Sequence, residues 1–93
     1  MKRTTGEELA KQLGLPASRG LEAVMKARLI GAVQKEAARR GLTHAELARR
    51  SKLPRSAVTG ILSGSLQKVT IDRVLRLIEA AGLTAEIHTK RAA

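Results

Sequence analysis

The sequence predicts an all-α fold of about five helices, closed by a short segment of alternating pattern. Two observations carry that expectation. Apolar residues recur at three- and four-residue intervals through most of the chain. Thr and Ser stand where these runs would begin, and Gly stands where they would end.

The elements can be justified in order. Thr5-x-x-Glu8 reads as a capping box opening a short helix, with Leu9 and Leu13 on one face and Gly14 as its stop. Leu15–Pro16 breaks the chain, and Ser18 can cap the next helix. Leu21, Met25, Leu29, Val33 and Ala37 then recur every fourth position, with Val24 and Ile30 widening the stripe. This long helix should end at Gly41, after Arg39 and Arg40. Gly31 in its middle costs roughly 1 kcal/mol against Ala, which predicts a close helix contact there.

Thr43 and Glu46 form a second capping box, with Leu42 and Leu47 as the matching hydrophobic staple. A turn comes next over Arg50–Leu53, and Pro54 suits the start of a new helix because its missing N–H would be unpaired there. Ala57, Val58, Ile61 and Leu62 form that helix's inward stripe, leaving Arg55, Ser56 and Thr59 off it. Ser63–Gln67 reads as a loop hinged on Gly64. Thr70 can cap a last helix with Ile71, Val74, Leu75 and Ile78 inward and Gly82 at its end. In Thr84–Lys90, Ala85, Ile87 and Thr89 alternate with Glu86 and His88, the pattern of a short strand or of an extended tail. The predicted division is an N-terminal helical extension over 1–20, a helix-turn-helix domain over 21–83 and a C-terminal strand or tail over 84–93.

The central run LTHAELARRSKLPRSAVTGILSG is thus two short helices locked by a tight turn, the pattern of a helix-turn-helix. An ordinary helical hairpin would share the spacing, but caps, spacing and charge agree on the DNA-reading version. The segment from about Val33 to Leu83 resembles the Cro/C1-type (XRE) family of phage repressors and bacterial regulators. In particular, this run is similar to the family's leucine, cap, small residue, Glu-Leu-Ala, turn, polar helix start and Val or Ile. LGLPAS, KARL, VTIDRVLRLIEAAGL and TAEI extend a resemblance to the HigA-type antitoxin branch. The resemblance implies a lambda-repressor-like helical DNA-binding domain, and for the branch a RelE/HigB-like ribonuclease toxin as partner. Lys52 departs from the family by replacing the usual turn glycine, so a left-handed backbone there would carry strain. Gly60 stands where many relatives carry a long polar residue, which removes one base contact.

Ninety-three residues suit one domain, burying ~60–65% of its surface on folding. The chain holds no Phe, Tyr or Trp, so its core must be aliphatic and it lacks the stacking platforms of single-strand binders. It holds no Cys, hence no disulfide framework and no thiolate metal site. No apolar run approaches membrane-spanning length, and the basic start at Met1–Arg3 has no apolar stretch behind it. A soluble, cytoplasmic protein without a membrane partner is the expectation. Eighteen Lys and Arg against eight acids give a net charge of +10, which suits a polyanion partner. The five basic residues and one acid between Thr43 and Lys68 make the motif basic in its own right.

The candidate DNA contacts divide by type. As implied by the resemblance, His44 at the start of the motif's first helix is placed to hold a phosphate; a polar first-turn residue is its plainer role. Backbone N–H groups opening the second helix can do the same, and Ser65 and Lys68 are the next candidates, in the loop after it. Arg39–Arg40 and Lys90–Arg91 could touch phosphate or simply complement helix ends. Arg55 is placed for a bidentate contact to guanine or for a phosphate. Ser56 and the Thr59 methyl could meet base edges or merely keep the helix polar. One such helix spans few base pairs, so a homodimer on a palindromic operator is expected, with half-sites about one turn, ~34 Å, apart. Its contact would use the Ile71–Gly82 helix, the tail, or both.

The function expected is sequence-specific, double-stranded DNA-binding transcriptional repression, acting as the antitoxin of a HigBA-like pair. An orphan XRE-family repressor without a toxin is the alternative, and a structured-RNA binder a more distant one. No nucleophile–base set, metal-ligand cluster or phosphate-cradling Gly loop is visible, so no enzyme, cofactor or metal is expected.

Overall fold

A computed structural model describes residues 17–64 and 69–91 of the chain. Four helices run in order: α1 (Ala17–Arg40), α2 (His44–Ser51), α3 (Arg55–Leu62) and α4 (Ile71–Ala80). The described residues contain no strand, so the all-α class holds. The helix expected to open at Thr5 lies outside them. Thr84–Arg91 belongs to no helix or strand and is exposed along its length. A strand needs a second edge to pair with, and among the described residues this chain offers none.

The C-terminal half of α1 lies against α4, and α2 sits between α3 and α4. One aliphatic core joins all four. Val33, Leu47, Val58, Val74 and Leu77 are its largest fully buried members, one or more from every helix. Ile30, Ile61, Leu62 and Ile78 surround them, and Leu29, Leu42 and Leu83 close the edges. Spacing of three and four along each helix puts these residues on one stripe, but on α4 that stripe takes Leu77 and leaves the expected Leu75 45% exposed.

The stripe of α1 is only half used. Ile30, Val33 and Ala37 enter the core, whereas Leu21 and Met25 remain 55% and 40% exposed. The four-residue repeat therefore continues beyond the part of α1 that supplies core residues. Gly31 does not mark the expected close contact. It is exposed, and a Cβ built on it would meet nothing within 4 Å. The helix is already running at Ala17, so Ser18 lies within it rather than ahead of it. It runs unbroken across residue 20.

Three helices end in the same way. Gly41, Lys52 and Gly82 adopt left-handed backbone with φ of 67°, 59° and 78°. In each case the next residue is a leucine whose N–H reaches five residues back: Leu42 to Ala37, Leu53 to Ala48 and Leu83 to Ile78. The leucine then packs on the core, which couples the end of the helix to burial. The strain foreseen at Lys52 is thus present, because only the middle turn of the three lacks glycine.

No helix among the described residues is long and apolar enough to cross a membrane.

Candidate nucleic-acid interface

The α2–α3 pair is built from local signals. Thr43 accepts a hydrogen bond from the Glu46 N–H at 3.1 Å and caps α2. The reciprocal half of the capping box does not form. The Glu46 carboxylate instead faces Arg50 one turn along, at 3.7 Å, because a cation four residues downstream competes for it. Leu53 is buried in the turn, and Pro54, with φ −59° and ψ 144°, sets the entry into α3. The Pro54 carbonyl takes the N–H groups of Ala57 and Val58. Pro54 occupies the cap position itself, and Arg55 is the first helical residue. No side chain caps α3 and no acid stands in its first turn.

Burial divides α3 cleanly. Val58, Ile61 and Leu62 point into the core, while Arg55, Ser56 and Thr59 are exposed. Ala57, read as part of the inward stripe, is half-buried at its border. His44 is exposed too, and its Nδ1 lies 3.1 Å from the Thr59 hydroxyl. Four of the six sequence-predicted contacts, His44, Arg55, Ser56 and Thr59, therefore lie on the exposed surface of the α2–α3 pair. The other two, Ser65 and Lys68, lie outside the described residues. Beside the His44–Thr59 pair opens a hollow of about 330 Å³ between α1, α2 and α3.

Charge is distributed unevenly over the helices. Glu22 pairs with Lys26 and Glu36 with Arg39 on α1, and Asp72 pairs with Arg76 on α4. The hydrogen bond from Lys26 holds the Glu22 carboxyl below its ordinary range, and that from Arg39 does the same for Glu36. The carboxylate in turn raises the Arg39 guanidinium. Among the described residues, neither Arg55 nor Lys52 has an acidic partner within salt-bridge distance. The surface around α3 thus keeps its positive charge.

Several positioning bonds were not visible in the sequence. The Gln34 amide on α1 donates to the Leu62 carbonyl at 2.5 Å and ties down the C-terminal end of α3. Arg40 donates to the Ala81 carbonyl at 2.9 Å, and Arg50 reaches the Ala80 carbonyl at 3.4 Å. Two cations thus stand at the negative end of α4, where they satisfy its last carbonyls. Arg39 pairs with Glu36 within its own helix, and Arg40 stands at the end of α4. These bonds join residues 28 to 41 positions apart, so local pattern held no trace of them.

An exposed, acid-free second helix locked by a left-handed turn to a capped first helix is what a helix-turn-helix needs. A family model described as a helix-turn-helix domain matches residues 9–90. The chain belongs to that helix-turn-helix domain family. The match covers both helices of the pair, α1, α4 and most of the tail, so the four helices form one DNA-binding unit rather than a motif set in another fold. Neither the search of curated proteins nor that of solved structures returned a match.

Proposed function

We propose that this helix-turn-helix protein is a cytoplasmic, dimeric regulator that recognises a palindromic operator in double-stranded DNA and represses transcription there. The observation that carries the reading is the outward face of α3. It presents Arg55, Ser56 and Thr59 with no acid among them, while the same helix buries Val58, Ile61 and Leu62. A helix held this way can enter a major groove without disturbing the core.

In this reading Arg55 takes a guanine edge, and Ser56 and Thr59 meet neighbouring bases. His44, Ser65, Lys68 and the uncapped N–H groups of α3 hold phosphates and set register. The homodimer would form through α4 and the tail. Leu75 is 45% and Ile87 82% exposed there, and such side chains gain by being covered in a two-fold contact. No catalytic step, cofactor or metal enters the proposal.

The finer reading, an antitoxin of HigBA-like type that also represses its own operon, rests on the resemblance of LGLPAS, KARL, VTIDRVLRLIEAAGL and TAEI. The exposed Leu21 and Met25 on α1 support a surface left for a protein partner. Co-expression with the adjacent open reading frame tests this part. Capture of a small, basic, RelE-like neighbour is the expected outcome, and an orphan repressor is what remains if that neighbour never co-purifies.

A footprint on the DNA upstream of the chain's own gene tests the regulator itself. The expected result is a symmetric protected site, weakened or broadened in sequence preference by Arg55→Ala. An unaltered footprint removes Arg55 from the reading role, and no protection at low salt removes the DNA reading altogether.

A further inference from the structure

His44 and Thr59 are fifteen residues apart, on different helices, yet their polar atoms meet at 3.1 Å on the exposed surface. A helical threonine or serine has an easier partner at hand, the carbonyl three or four residues back. Ser51 and Ser63 take that option, donating to Ala48 and Gly60 at 3.3 and 2.8 Å. Thr59 does not. Its hydroxyl is engaged across the helix pair instead.

A neutral imidazole has one donor nitrogen and one acceptor nitrogen, so its two contacts are linked. If Nε2–H donates to a phosphate oxygen, Nδ1 carries no proton and accepts. The Thr59 hydroxyl must then donate to His44, and its oxygen faces outward with lone pairs only, beside its methyl group. That combination suits the amino donors of adenine or cytosine and the thymine methyl, and it mismatches the N7 and O6 acceptors of guanine. We propose that His44 is a positioning residue for specificity: its phosphate contact locks Thr59 as a hydrogen-bond acceptor toward the base edge. The inference rests on the DNA-binding reading above and gives His44 a second role beyond register.

The test measures base preference at each operator position, using duplexes with single base-pair changes at one fixed salt concentration. Wild type is compared with His44→Ala, His44→Gln, Thr59→Val and the His44→Ala/Thr59→Val double variant. Both sites are exposed, and circular dichroism confirms that each variant folds. Thr59→Val and His44→Ala should each erode preference at the same base pair, by about threefold to tenfold. The double variant should lose no more than Thr59→Val alone. His44→Gln should retain the preference, because its carbonyl can accept from Thr59 while its amide donates to phosphate. In the complex, proton–nitrogen correlations of the imidazole should show the proton on Nε2. A uniform loss of affinity in His44→Ala, with the preference intact, overturns the proposal and leaves a plain phosphate contact. So does a proton on Nδ1 of His44 in either charge state, because Nδ1 then donates to Thr59. Wild type that binds no duplex removes the DNA reading and this inference with it.

Discussion

Helices α3 and α4 bury nearly the same stripe and show solvent quite different faces. Val58, Ile61 and Leu62 on one correspond to Val74, Leu77 and Ile78 on the other. Outward, α4 carries an Asp72–Arg76 pair together with Arg73 and Glu79, two cations and two acids that balance on one helix. The outward face of α3 carries Arg55, Ser56 and Thr59 and no acid. The neighbouring turns differ as well. Gly82 supplies the left-handed residue after α4, whereas Lys52 supplies it before α3. Folding makes the same demand of both helices, so what differs between them is not explained by the fold. It marks α3 as the helix shaped for a partner.

The inward similarity can be broken first, since it carries the largest effect. Ile61 and Ile78 are 4% and 5% exposed. Ile61→Ala and Ile78→Ala should each cost about 2–5 kcal/mol in urea unfolding, through lost burial plus the cavity left behind. If one proves neutral, the two helices are not equivalent members of one core.

The turns come next. Gly82→Ala forces a side chain into left-handed backbone and brings a Cβ to 2.7 Å from the Arg40 guanidinium. It should destabilise by about 1–2 kcal/mol. Lys52→Gly relieves the same strain and should stabilise by about 1 kcal/mol. Thermal melts of the two variants should therefore move in opposite directions. Gly31→Ala on α1 meets open space and should add about 1 kcal/mol through helix propensity alone.

The smallest effect expected is electrostatic. Arg39 depresses the Glu36 pKa below its ordinary 4.5, so the pair stabilises the fold above that value. The contribution is lost as the pH falls through the depressed value. Because Arg39 is largely exposed and solvent screens the pair, Glu36→Gln should alter the acid limb of a melting-temperature profile slightly and the neutral range hardly at all.

How much of this was legible in the sequence depends on range. Thr43 and Thr70 cap α2 and α4 as their spacing foretold, because a cap is a bond to a backbone three residues away. Gly41 and Gly82 end helices for equally local reasons. The outward set of α3 was readable because a helix has only one period. The periodicity of α1 misled at Leu21 and Met25, since a repeat says which side is apolar and not how far its neighbours extend. Gln34 and Arg50 went unread, and the α4 partner of Arg40 with them, because the acceptors are carbonyls at the ends of other helices. Glu46 was read half correctly, as Arg50 competes for its carboxylate. The His44–Thr59 bond needed coordinates, though both residues stand out in the sequence.

The comparison of the two outward faces is tested most directly by titrating one operator duplex, at a single salt concentration, with wild type, Arg55→Ala and Arg76→Ala. Each variant removes one exposed arginine and should leave stability within about 0.5 kcal/mol. Arg55→Ala should weaken binding by about 1–3 kcal/mol, with Arg76→Ala close to wild type. Equal losses in the two variants, or none in either, would contradict the claim that the outer face of α3 reads DNA.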